Sequence, residues 1–209
     1  MGTLSAILKH KIIAIVRGAK PDDVIRIAEA LHEGGIKLME VTLNSENALE
    51  VIERLSSTMK DSMHIGAGTV LNVQDTENAI KAGAQFIISP CCNTDVITAT
   101  KRMGIVSIPG AFTPTEIVNA YSSGGDIIKV FPASGNINYV REVRAPLPHI
   151  PLMPTGGINL ENITAFYNSG AVAFGIGTSL VNTKNEITQQ YLVQLATTAK
   201  QFVQAIGLS

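Results

Sequence analysis

The chain has 209 residues, of which 45% are hydrophobic and 16% charged, and its net charge at neutral pH is −1. This length and composition suit one α/β domain with a sizeable core, so residues 1–209 read as a single domain without linker or low-complexity segment. The balance of charge supplies no basic field for nucleic acid, and no apolar run is long enough to cross a membrane.

The leading segment reads as a short helix. Lys9, His10 and Lys11 interrupt it before it can form a secretory signal, so a cytoplasmic location is expected. Apolar runs rich in Val and Ile follow at 12–16, 36–43, 64–66, 86–89, 105–108, 127–131, 151–153 and 172–176, each trailed by a helix-length amphipathic stretch. Continuous rather than alternating apolar runs fit strands covered on both faces. Eight of them alternating with helices predict a (β/α)8 TIM barrel with a short N-terminal helix. A doubly wound open sheet is the alternative. Helix starts carry their own marks. Asn72 with Asp75 and Asn159 with Asn162 read as caps, and Thr113-Pro114-Thr115-Glu116 reads as a capping box with Pro at N1. Gly34-Gly35, Gly83 and Gly124-Gly125 stand where helices end.

This polarity sorts the polar residues, because chemistry in this fold sits where strands end. His32, His64 and His149 precede strands and His10 lies in the leading helix, so no histidine is expected near the chemistry as base or metal ligand. The adjacent Cys91 and Cys92 lack zinc-ligand spacing and cannot form an ordinary structural disulfide, so no metal or cofactor is expected. Asp126 precedes its strand and reads as structural.

Two charges remain inside strands. Alternation places Leu38, Glu40 and Thr42 on one face, and Ile127, Lys129 and Phe131 on one face. If both faces point inward, an amine and a carboxylate share an apolar interior. A structural ion pair is the plain reading. The chemical reading is that burial favours the neutral amine, which adds to a keto carbon to form an iminium, while Glu40 carries protons directly or through water. Lys37 has the opposite parity and should face helices or solvent. Thr155-Gly156-Gly157-Ile158-Asn159 and Gly175-Ile176-Gly177-Thr178-Ser179 follow the last two runs, where such barrels often hold phosphate on backbone N–H groups. Gly66-Ala67-Gly68-Thr69 reads as a turn that places a hydroxyl at the same end. Arg17, after the first run, reads either as a solvated loop charge or as an anion ligand.

Gly35-Ile36-Lys37-Leu38-Met39-Glu40-Val41-Thr42-Leu43 resembles the glutamate motif of the 2-keto-3-deoxy-6-phosphogluconate and 4-hydroxy-2-oxoglutarate aldolases, and Lys129-Val130-Phe131-Pro132-Ala133 resembles their lysine motif. Gly66-Ala67-Gly68-Thr69-Val70, Ser89-Pro90, Pro109-Gly110, Thr113-Pro114-Thr115-Glu116 and Pro154-Thr155-Gly156-Gly157 are similar to the same family, in order, over nearly the whole chain. The resemblance implies a class I, Schiff-base aldolase in a homotrimer, with pyruvate as the retained product. It implies Lys129 as nucleophile and Glu40 as acid/base. Thr69, Pro90 and Thr155 would line the pyruvate pocket beside Phe131, and Gly156, Gly157, Gly177 and Thr178 would hold phosphate. Many members carry arginine where this chain has Asn44, which donates hydrogen bonds without charge. Arg17 is the candidate replacement cation. Leu43-Asn44-Ser45 is similar to relatives that act on the galactonate epimer. The expected reaction is cleavage of a 2-keto-3-deoxy-6-phospho sugar acid to pyruvate and glyceraldehyde 3-phosphate. The alternatives are another phosphate-binding barrel enzyme, an isomerase or synthase using Glu40 as base, and a non-catalytic sugar-phosphate-binding protein.

Overall fold

The computed structural model describes residues 2–134 and 136–208. Helices and strands alternate: α1 (Thr3–His10), β1 (Ile12–Val16), α2 (Pro21–Glu33), β2 (Leu38–Thr42), α3 (Ala48–Thr58), β3 (His64–Gly68), α4 (Val73–Lys81), β4 (Phe86–Ile88), α5 (Thr94–Arg102), β5 (Val106–Ile108), β6 (Gly110–Ala111), α6 (Pro114–Ser122), β7 (Ile128–Val130), α7 (Ile137–Arg144), β8 (Leu152–Pro154), α8 (Ile163–Asn168), β9 (Phe174–Ile176) and α9 (Gln189–Ala205). Six strands form one sheet in the order β5-β4-β3-β2-β1-β9, and three form another in the order β6-β7-β8. All pairings are parallel.

The expected fifth strand, 105–108, is β5, and a two-residue strand that the apolar runs did not mark, β6, follows it. Pro109 stands between β5 and β6 and has no N–H for the ladder, although its carbonyl accepts from Lys129 N at 2.9 Å. The third strand runs two residues further than its apolar run suggests, through Gly68, so the glycines at 66 and 68 are strand residues and not the predicted turn. Asn72 caps α4 by accepting from Asp75 N, and Thr113 with Glu116 forms the full capping box of α6, as predicted. Asn159 instead closes a turn ahead of α8, accepting from the N–H groups of Glu161 and Asn162.

Two apolar layers hold the strands. Ile12, Met39, Ile65, Ile87, Ile128, Leu152 and Phe174 pack outward against the helices. Ile13, Leu38, Phe86, Ile108, Ile127 and Met153 pack inward on one another, and Ala6 and Ile7 of α1 close the end where the strands begin. Each of these larger side chains contributes about 1.5–3 kcal/mol on burial. The inward face of β3 must be glycine: a Cβ on Gly66 would overlap the Phe86 ring. Below the chemistry, Asp126 fastens α5 to β5 by accepting from Ser107 N at 2.8 Å and from Lys101 Nζ at 2.7 Å, the structural role expected for it.

Candidate active site

Glu40 and Lys129 face the interior from β2 and β7, with the parity the alternation predicts. Both are buried, Glu40 at 1% exposure and Lys129 at 6%. The floor beneath them is Leu38, Ile127 and Met153. Glu40 fits because Gly68 opposite it has no side chain; a Cβ there would stand 2.7 Å from the Glu40 Cδ and overlap Oε1. Among the described residues no ion pair within 4.0 Å joins Glu40 to Lys129, and the buried Oε2 of Glu40 has no hydrogen-bond partner. The expectation of a simple structural ion pair is therefore not met.

Electrostatics follows from this arrangement. Burial lowers the pKa of Lys129 from its ordinary value; the Glu40 carboxylate opposes that shift and the Arg17 guanidinium adds to it. Burial raises the Glu40 carboxyl above the usual range, with Lys129 and then Arg17 pulling it back. An amine and an acid are thus both shifted toward their neutral forms. Lys129 Nζ also lies 4.8 Å from the centre of the Phe131 ring.

Lys129 opens into a cavity of about 560 Å³ at the C-terminal ends of the strands. Arg17, Phe131, Thr155, Gly156, Gly157, Gly177 and Thr178 line it together with Lys129, and among the described residues no histidine or carboxylate does. Gly156 and Gly157 have φ of +89° and +75°, which only glycine adopts without strain. Gly175 leaves room for the Thr155 side chain, which a Cβ would meet. The N–H groups of Gly157, Thr178 and Ser179 have no backbone acceptor among the described residues, so they are free to meet an anion. Arg17 is held through its main chain: Thr183 Oγ1 donates to Arg17 O at 2.6 Å, and Gly18 N donates to Ser45 Oγ at 2.8 Å.

Glu40, Thr69, Pro90 and Asn44 are not part of this cavity wall. Thr69 is half-buried and directly follows Gly68, next to Glu40. Pro90 packs its carbonyl against Gly110, the register partner of Lys129. Asn44 is exposed on the loop after β2. The structure adds residues that the sequence did not single out, namely Asn159, Ser179, Asn182, Thr183 and Lys184 on the wall. Ser179 donates to the Ile158 carbonyl and so ties the two glycine loops together. Its place inside a quoted glycine loop was the available signal; Lys184 carried none.

A family model for KDPG and KHG aldolases matches residues 4–195. The chain is 32% identical over 205 residues to a 2-dehydro-3-deoxy-phosphogluconate aldolase of Treponema pallidum, covering 97% of each. It is 29% identical over 200 residues to the 2-dehydro-3-deoxy-6-phosphogalactonate aldolase of Escherichia coli, covering 95% of this chain and 97% of that one. Among solved structures, a KDPG aldolase from Legionella pneumophila, with pyruvate captured as a covalent carbinolamine, superposes with a TM-score of 0.84 at 28% identity, over 95% of this chain and 97% of that one.

Proposed function

The chain belongs to the KDPG and KHG aldolase family, and from that premise we propose that it is a class I aldolase working through a Schiff base at Lys129. Its substrate in this reading is a 2-keto-3-deoxy-6-phospho sugar acid of gluconate or galactonate type. The products are pyruvate and glyceraldehyde 3-phosphate. One observation carries the proposal: a buried lysine of lowered pKa faces the cavity, and a buried carboxyl group, Glu40, is near enough to act on that pKa and keeps one oxygen without a partner.

The neutral Nζ adds to the C2 carbonyl carbon, and the carbinolamine loses water to give an iminium. Glu40 supplies a proton to the departing hydroxyl and, as carboxylate, accepts the proton of the C4 hydroxyl. The C3–C4 bond then breaks. Its electrons flow into the iminium to give an enamine, and the aldehyde leaves. Protonation at C3 and hydrolysis release pyruvate and restore the amine. Arg17 meets the substrate carboxylate in place of the arginine that Asn44 lacks. Gly156, Gly157, Gly177 and Thr178 hold the phosphate, and Thr155 and Phe131 flank the pyruvyl group; Thr69 and Pro90 are assigned to its pocket by the family resemblance alone. The N–H groups of the two glycine loops that lack a backbone acceptor, and a cavity wall whose charged groups among the described residues are Arg17, Lys129 and Lys184, support this division.

Borohydride reduction in the presence of pyruvate tests the reading. A covalent adduct should form on Lys129, and Lys129→Ala should lose both adduct and turnover. An active enzyme that yields no adduct would refute it. A panel of gluconate and galactonate derivatives then fixes the epimer.

The two sheets are read as one closed (β/α)8 barrel. The support is the continuity of β5 and β6 around Pro109 and the parallel bridge of Thr155 to Gly175, which links the end of β8 to β9. A single-domain cytoplasmic homotrimer completes the proposal. Phe112, Val118 and Tyr121, large side chains left exposed on α6 and its leading loop, are the surface offered for assembly.

A further inference from the structure

We propose that the end of the molecule opposite the catalytic cavity carries a second anion site, formed by His10, His32, Lys37, Lys60 and His64, that takes a small multivalent oxyanion of phosphate type. These side chains line a separate cavity of about 320 Å³ that shares no residue with the first. They come from five places in the fold. His10 is in the last turn of α1 and His32 in the last turn of α2; Lys37 precedes β2, Lys60 follows α3, and His64 opens β3. Three of the chain's four histidines therefore meet here. The only carboxylate on the wall, among the described residues, is Asp61.

Histidines at helix ends have an ordinary explanation, because a protonated imidazole is favoured at a helix C-terminus. That explanation predicts imidazoles easier to protonate than usual. The opposite holds for both. Burial lowers His10 and His32, with Lys9, Lys37 and His64 adding to it at His10 and Lys37 at His32. Burial also lowers His64 in β3, against a hydrogen bond with Gln85 that raises it. Lys37 Nζ lies 2.8 Å from His32 Nε2. An ammonium only donates, so His32 presents that nitrogen as an acceptor and holds its proton on Nδ1. The cavity thus gathers two ammonium groups and three imidazoles around one carboxylate, Asp61. An oxyanion would offset that excess of positive charge and accept hydrogen bonds from the lysines. It would also clasp the C-terminal turn of α1, whose Ala6 and Ile7 close the interior, to α2 and β3.

The chain's histidines report on this directly. Their C2–H resonances are followed against pH in inorganic phosphate and in sodium chloride of equal ionic strength. In phosphate, His10, His32 and His64 should titrate about half a unit or more higher than in chloride, while His149, exposed against Tyr121 on another face, stays put. Sulfate, divalent at both pH values, should also raise the melting temperature more near about pH 6 than near about pH 8, where the imidazoles are neutral. Lys37→Met and, independently, Lys60→Ala should each reduce the response by more than half. Thr178→Ala should leave the shifts of His10, His32 and His64 intact, which separates them from phosphate held in the catalytic cavity. If the three histidines move no more than His149, or if the response survives both lysine variants, the site does not exist.

Discussion

Consider alanine in place of Gly68. The added methyl would stand 2.7 Å from Glu40 Cδ, overlap Oε1, and lie 3.1 Å from the Ile88 carbonyl oxygen. Carbon atoms in contact settle at about 3.5–4.0 Å, so the carboxyl group must retreat by about 1 Å. The backbone of β3 accepts alanine without strain, and Glu40 is a flexible chain, so overpacking should cost only about 1–3 kcal/mol. A displacement of about 1 Å in a reacting group is expected to cost on the order of 10²-fold in rate. The variant should therefore fold, release pyruvate with kcat lowered about 10²-fold, and still be trapped by borohydride at Lys129, only more slowly. Urea unfolding measures the first effect and a coupled pyruvate assay the second. A folded Gly68→Ala enzyme with undiminished kcat would show that the placement of Glu40 is irrelevant to turnover.

Other outcomes follow from the same geometry. Glu40→Gln removes the negative charge that raises the pKa of Lys129. The acid limb of the kcat/KM profile should move to lower pH while its plateau falls about 10²–10⁴-fold; a limb displaced to higher pH would contradict the coupling. Lys129 has a folded pKa below its unfolded one, so between the two the unfolded chain binds more protons and stability rises with pH. Lys129→Met should abolish that rise and stabilise the fold at neutral pH, as read by unfolding at several pH values. Asp126→Ala removes the acceptor for Ser107 N and the Lys101 pair and should cost about 1–3 kcal/mol by urea titration, with kcat unchanged. Thr178→Ala should weaken phosphorylated substrates more than their unphosphorylated counterparts; equal loss for both would move the phosphate elsewhere.

Much of this was legible along the chain because strand parity is a local property. Two charges interrupting apolar runs, at 40 and 129, had to share a face with Leu38 and Ile127, and they do. The capping box at Thr113 was readable for the same reason. What was hidden depends on partners distant in sequence. Gly66 and Gly68 look like a turn, since glycine weakens a strand; only the Phe86 ring and the Glu40 carboxyl, arriving from β4 and β2, explain why they belong to one. The break at Pro109 was visible as a proline, but its effect on sheet pairing was not. Lys184 reaches the cavity from an irregular segment that no periodicity marks.

The loop bearing Arg17 is moored from two directions, by Ser45 and by Thr183, through its main chain alone. Its guanidinium makes no ion pair within 4.0 Å among the described residues. Position 17 can therefore be exchanged without loosening the scaffold that presents it. With Arg17 read as the partner of the substrate carboxylate, acceptance of 2-keto esters or amides, which lack that charge, should be attainable by changing that one side chain, with the surrounding architecture serving as a fixed mount for interchangeable tips.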